Sequence, residues 1–185
     1  EKYWLVDNTN FGSYKINNQK LIGDPDNSPS LLSKFVFRVN GQQITYDVPV
    51  VFKVNSPVKG DDYRPFNIGN PVYLNPKNPM ELIVNSNKKR LSVDVLSGIE
   101  NLKTKVQLKV PEAIKVQPEF YEVELSNKGE RKTLNFDITL PNDKNMITEV
   151  YYVGEVNGTT YSRALDKVVY DHITPQTRFP KSNVS

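Results

Sequence analysis

The stretch Phe35-Val36-Phe37-Arg38-Val39-Asn40-Gly41-Gln42-Gln43-Ile44-Thr45-Tyr46-Asp47-Val48 decides the fold class. Phe35, Phe37 and Val39 fall on alternate positions, as do Ile44, Tyr46 and Val48, which is the two-residue period of a strand with one buried face. Between the two runs stands Asn40-Gly41, a dipeptide that tolerates the positive φ angles of a two-residue hairpin turn. The stretch therefore reads as a β-hairpin. Pro49 interrupts the second run, which resumes as Val50, Phe52 and Val54. Proline has no N–H to give to a ladder, so the strand is expected to bend at Pro49 or to lie at a sheet edge.

The same period recurs along the chain, in Leu91, Val93 and Val95, in Val106, Leu108 and Val110, in Tyr121, Val123 and Leu125, and in Leu134, Phe136, Ile138 and Leu140. A second hairpin pairs Val150 to Val156 with Thr160 to Leu165 around Asn157-Gly158, and a final run spans Lys167 to Tyr170. Helical spacing never takes hold. Short strands at roughly ten-residue spacing, with turn residues rather than crossover helices between them, predict an antiparallel all-β fold. Residues 55–66 replace alternation by Pro, Gly and charges and mark a boundary. The expectation is two antiparallel β-sandwich domains: a small one over residues 1–66 and an immunoglobulin-like one over residues 67–173, whose length suits a seven-strand sandwich. Residues 174–185, with Pro175 and Pro180, read as an exit linker.

Composition closes several routes to function. The 185 residues hold 24 Lys+Arg against 21 Asp+Glu, one His and no Cys. A disulfide framework, a thiolate nucleophile and a Cys-ligated metal are excluded, as is any scheme that needs two histidines. The small positive excess is dispersed, which argues against nucleic acid and anionic membrane as partners. No run is long enough for a spanning helix, so no membrane insertion is expected. A start at Glu1 in front of an aromatic-apolar segment and a polar tail suggest a piece of a longer polypeptide, and a monomer is expected.

Candidate chemistry is sparse. His172 follows Asp171, but neighbours on a strand point to opposite faces, so the carboxylate would orient the imidazole poorly as a general base. Asp24 with Asp26, and Asp61 with Asp62, carry oxygens suited to Ca²⁺ but sit in turn-forming company. Lys88-Lys89-Arg90 reads as a solvated turn leading into a strand. No catalytic residue and no metal site are assigned. Exposed aromatic faces can stack on sugars, and Tyr14, Tyr151, Tyr152 and Tyr161 are the candidates for glycan contact. Tyr151 and Tyr152 are adjacent on one strand, so one of them must face outward. Trp4, Tyr63, Arg64, Pro65 and Phe66 are the candidates for interdomain contact, because apolar groups in a nonrepeating linker need a neighbour to bury them. Arg64 is suited to fix a hinge through a carboxylate pair.

The order of local motifs adds a family resemblance. Tyr3-Trp4-Leu5, Gly12-Ser13-Tyr14, Leu21-Ile22-Gly23-Asp24-Pro25, Val48-Pro49-Val50-Val51-Phe52-Lys53, Asp62-Tyr63-Arg64-Pro65-Phe66 and Tyr170-Asp171-His172-Ile173-Thr174-Pro175-Gln176-Thr177 follow one another along nearly the whole chain. This arrangement resembles the region after the catalytic domain of Bacteroidetes-type PIG-L (LmbE-like) family deacetylases. The resemblance implies a preceding zinc-dependent domain that deacetylates N-acetylglucosamine-type sugars, extracytoplasmic placement, and β-sandwich modules like this one. It implies no zinc ligand or catalytic residue here: the family's His-Pro-Asp-Asp-Glu-like loop is missing, since Asp61-Asp62 follows Lys59-Gly60 and precedes Tyr63. The expected role is a noncatalytic accessory region that spaces or docks the catalytic domain of the same polypeptide, with zinc confined to that domain. A carbohydrate-binding module and an immunoglobulin-like adhesion or surface module are the alternatives.

Overall fold

The computed structural model describes residues 3–5, 12–24, 27–58, 60–84, 86–141 and 147–185. After short 3-10 turns at Tyr3–Leu5 and Gln19–Leu21, the strands in chain order are β1 (Leu32–Val39), β2 (Gln42–Pro49), β3 (Val51–Ser56), β4 (Gly60–Pro65) and β5 (Val72–Pro76). They continue as β6 (Lys88–Ser97), β7 (Leu102–Lys109), β8 (Lys115–Gln117), β9 (Phe120–Leu125) and β10 (Arg131–Thr139). The last are β11 (Val150–Val156), β12 (Thr159–Tyr161), β13 (Asp166–Tyr170), β14 (Ile173–Arg178) and β15 (Asn183–Val184). The fold is all-β and built of antiparallel sheets, with no α-helix among the described residues. Two compact units divide it: Glu1–Ile68 with Lys167–Thr177, and Gly69–Asp166 with Arg178–Ser185.

In the second unit one sheet runs in the order β5-β6-β10-β8 and the other β12-β11-β7-β9. Alternate residues of both point into one core, as in β7, where Leu102, Val106 and Leu108 are buried and Lys103 and Lys109 exposed. Phe136 of β10 and Tyr152 of β11, both fully buried, meet across the sheets with ring centroids 5.9 Å apart. Gly154 of β11 permits a close approach: a Cβ there would lie 3.2 Å from Val72 Cγ1 of the facing β5 and 3.3 Å from Thr104 Oγ1. The Asn157-Gly158 turn has φ of 51° and 78°, the left-handed pair that a two-residue hairpin turn needs, and it joins β11 to β12 as the sequence predicts.

Three features of this unit depart from the alternation argument. The strand β5 buries Val72, Tyr73 and Leu74 in succession, because Tyr73 on its outward face stacks on Phe179 at 5.9 Å. Lys88-Lys89-Arg90 opens β6 rather than forming a solvated turn, with Lys89 paired to Glu81 and Arg90 to Asp137. Residues 174–185 are not an exit linker. Ile173–Arg178 is a strand, Asn183–Val184 pairs with Val150 and Tyr151 of β11, and Ser182 and Val184 are buried. The final segment thus covers the half of the β11 edge that β12 leaves open.

In the first unit the described strands form two-stranded ribbons, β1 with β2, β3 with β4 and β13 with β14. The Asn40-Gly41 turn has φ of 50° and 82° and pairs Val39 with Gln42, as predicted. The Pro49 break has a simple form: β2 ends there, the Val50 N–H donates to the Leu31 carbonyl at 3.0 Å, and β3 pairs onward with β4. Residues 55–66, read as a boundary, are mostly the second half of this ribbon. The Lys53–Asp61 ion pair, at 2.6 Å, holds the two strands together where apolar alternation would otherwise do so.

Candidate interaction surfaces

The β1–β2 ribbon is strongly two-faced. Register places Phe35 opposite Tyr46, Phe37 opposite Ile44 and Ser33 opposite Val48, so these share one face with Val39 and Gln42. Six of those eight side chains are large and apolar, and each is 42 to 59% exposed. Their rings gather locally: Phe37 lies 6.4 Å from Phe35, stacked, and 6.3 Å from Tyr46, edge-on. The opposite face is mixed, with Lys34 and Asp47 3.8 Å apart and Arg38 opposite Gln43. Together the six present an apolar patch on the order of 500 Å², as large as monomeric proteins usually tolerate. A two-stranded ribbon is also marginal by itself and gains stability when its apolar face is covered.

The five residues proposed for interdomain contact lie in the first unit. Trp4 packs edge-on against Tyr3, with centroids 4.8 Å apart. Tyr63 and Pro65 are in β4, exposed, with Lys53 Nζ 5.8 Å from the Tyr63 ring centre. Arg64 donates through Nε to Asp62 Oδ2 at 2.8 Å, so its carboxylate is two residues away in the same strand rather than across a hinge. Phe66 follows β4 and is exposed. The calcium candidates are otherwise occupied: Asp61 takes Lys53 and the Asn55 amide at 3.0 Å, and Asp62 takes Arg64. Asp24 contributes its carbonyl to the Tyr3 hydroxyl at 3.3 Å, and Asp26 lies outside the described residues. His172 is exposed in the turn between β13 and β14, its ring 5.8 Å from that of Tyr170. Among the described residues no three His, Cys, Asp or Glu side chains are grouped to hold a metal ion, and no helix is long and apolar enough to cross a membrane.

The four tyrosines proposed for glycan contact part company. Tyr14 is exposed in the first unit ahead of the ribbons, and Tyr161 is half-buried against the core. Tyr152 is corrected to a core residue: it is fully buried, and burial pushes its phenol well above the ordinary range. Tyr151, its neighbour on β11, is the outward one, and its hydroxyl donates to Glu149 Oε2 at 2.5 Å. That bond is the first cause of the raised Tyr151 pKa. The same sheet face carries Phe120, whose ring lies 4.0 Å below Lys105 Nζ. Phe120 is a surface aromatic outside the four candidates, although inward Tyr121, Val123 and Leu125 already oblige it to face out.

On the outer face of the other sheet, β6 and β10 are laced by polar pairs in register. Arg90 grips Asp137 with two bonds of 2.7 and 3.1 Å, Ser92 meets Asn135 at 2.8 Å, and Thr133 meets Asp94 at 2.6 Å. The Arg90 guanidinium holds the Asp137 carboxyl below its usual range, and Lys89, followed by Asn78, does the same for Glu81. Depressed carboxylates stabilise the fold above the unfolded-state pKa, and that contribution is lost as pH falls through the folded value. The melting temperature is therefore expected to drop below roughly pH 4.5. Glu81→Gln should flatten that descent relative to wild type in a Tm series from pH 7 to 3, and an unchanged slope would remove Glu81 from the account.

No family model matches this chain, and no curated protein matches it.

Proposed function

We propose that this chain is a noncatalytic accessory region of a larger polypeptide, which docks and spaces a neighbouring domain. The observation that carries the reading is the apolar face of the β1–β2 ribbon, six large side chains about half in water on a ribbon too small to be stable uncovered. The second unit suits a spacer. Its two antiparallel sheets, β5-β6-β10-β8 and β12-β11-β7-β9, support reading that spacer as immunoglobulin-like. Many of its carboxylates, Asp94, Asp137, Glu81 and Glu124 among them, are engaged by cations of the same unit. The identity of the neighbour rests on motif order alone, which favours the zinc-dependent domain of an extracytoplasmic PIG-L-type deacetylase. The residues of this chain do not fit that zinc: its one histidine stands in an exposed turn beside Tyr170.

The test compares hydrogen exchange of the ribbon amides in this chain and in the longer protein. Docking predicts at least about tenfold slower exchange of the β1 and β2 amides in the longer protein, and loss of that protection in Phe37→Lys/Tyr46→Lys. Equal exchange in both proteins would end the docking assignment. Zinc-dependent deacetylation by the longer protein, with none by this chain alone, separately tests the nature of the neighbour.

A further inference from the structure

We infer that Asn40-Gly41, at the tip of the β1–β2 ribbon, is a self-modification site: Asn40 loses its side-chain amide through a cyclic imide, and the isoaspartyl linkage that results takes the ribbon apart. The residues carry the chemistry themselves. A glycine has no side chain to keep its backbone nitrogen from the preceding asparagine, and the space a Cβ would fill at Gly41 is open, with no atom within 4 Å. The Gly41 nitrogen gives its proton to solvent and bonds to Asn40 Cγ, the Cγ–Nδ2 bond breaks, and Nδ2 takes a proton from water and leaves as ammonia. Water then opens the five-membered imide. Addition at Cγ leaves aspartate; addition at the main-chain carbonyl carbon leaves isoaspartate, in which the chain runs through Cγ.

The chain holds two such pairs, and both stand in the same tripeptide, Val39-Asn40-Gly41 and Val156-Asn157-Gly158. Their intrinsic chemistry is thus matched. So is their folded geometry, with φ of 50° and 82° at one and 51° and 78° at the other. Such a turn mirrors type I, so ψ of the asparagine is about +30°. That angle places the glycine nitrogen nearly anti to Cβ and out of reach of Cγ. Each turn must therefore open before it reacts, and the rate follows the open population. Here the two sites differ. Among the described residues β1 and β2 pair only with each other, and none of their side chains is buried, so opening costs little. At Asn157, opening must pull Val156 and Tyr161 away from the core, and buried Ala164 beyond them is tied to the Pro180 carbonyl at 2.9 Å. Modification accordingly falls on Asn40. Isoaspartate adds an atom to the main chain for which a two-residue turn has no place, and the register that gathers Phe35, Phe37, Ile44 and Tyr46 on one face is lost. One consequence rests on the docking reading: a neighbour that covers the ribbon also holds it closed, so conversion disables undocked chains.

In the experiment the isotope-labelled chain is incubated in mildly alkaline buffer, with and without denaturing urea. Tryptic peptides carrying Asn40 and Asn157 are followed by mass spectrometry, and an isoaspartyl methyltransferase scores the isoaspartate. Without urea, Asn40 should convert at least about fivefold faster than Asn157, with isoaspartate the main product. In urea the two rates should come within about twofold of each other, since both turns are then open. The converted chain, separated by its added negative charge, should lose the cross-strand nuclear Overhauser contacts of Phe35 with Tyr46 and of Phe37 with Ile44. Amide exchange of β6 and β7 should be unchanged. A native ratio below about fivefold, or one that persists in urea, overturns the inference. So does a converted chain that keeps those ribbon contacts. Both readouts are taken on this chain alone, so they can fail while docking stands, and docking can fail while they hold.

Discussion

A chain ending at Thr177 is expected to lose the cooperative fold of its second unit. The missing segment supplies Val184, which is 4% exposed in the core, and Phe179, which covers the outward face of Tyr73. Fully burying an aliphatic side chain is worth about 1.5–3 kcal/mol. Ser182 is buried and makes three bonds: its Oγ donates to the Leu74 carbonyl at 2.6 Å, its N–H donates to Ser162 at 3.1 Å, and its carbonyl accepts the Tyr152 N–H at 2.9 Å. Removing one side of a buried hydrogen bond costs about 1–3 kcal/mol for the partner left behind. The losses together exceed about 5 kcal/mol, which is the lower edge of domain stability. Urea unfolding followed by near-ultraviolet circular dichroism provides the measurement. Ser182→Ala should cost about 1–3 kcal/mol in the full chain. A truncated chain within about 1 kcal/mol of the full one would show the segment to be dispensable.

That segment is also where the sequence was least legible, and the reason is physical. Arg178 to Ser185 has too few apolar residues to display a period, and its stability comes from backbone bonds to Ser162, Ala164 and Tyr152, partners distant in sequence. The β5 strand was hidden for the opposite reason. When Phe179 covers Tyr73, both faces of the strand are buried, and three consecutive apolar residues carry no alternation to find. In the β3–β4 ribbon β3 shows its period in Phe52 and Val54, but β4 sets Arg64 and Asp62 opposite them, so charges stand where a period would need apolar residues. By contrast, the two Asn-Gly hairpins were readable because turn chemistry and alternation there say the same thing about the same residues.

Of the surfaces, alternation reveals which face of a strand is apolar but not whether another element covers it. The pattern Phe35, Phe37, Val39 reads as a core face, yet those side chains are about half in water. Likewise, adjacency established that one of Tyr151 and Tyr152 faces outward, while only pairing with β7 decides which. Tyr152 lies opposite Leu108, a buried residue, and Tyr151 opposite Lys109.

Phe136→Ala should be among the most damaging single substitutions in the second unit. Phe136 is fully buried, meets Tyr121 edge-on at 5.2 Å and Tyr152 at 5.9 Å, and so joins the two sheets through one aromatic cluster. Its truncation leaves a cavity between sheets that their strand ladders prevent from collapsing, at a cost of about 3–5 kcal/mol. Tyr152 offers the contrast. Among the described residues its buried hydroxyl has no hydrogen-bond partner, and the raised phenol pKa reports first of all the desolvation of that group. An unsatisfied buried hydroxyl opposes folding, so Tyr152→Phe should leave stability unchanged or raise it by about 1 kcal/mol, while the ring contact with Phe136 persists. Thr104 Oγ1, also buried and without a partner among the described residues, should respond to Thr104→Val in the same direction. Denaturant midpoints of the three variants decide the matter. A loss above about 1 kcal/mol in Tyr152→Phe would mean that the hydroxyl has a partner in solution, since deleting an unbonded oxygen cannot otherwise weaken the fold.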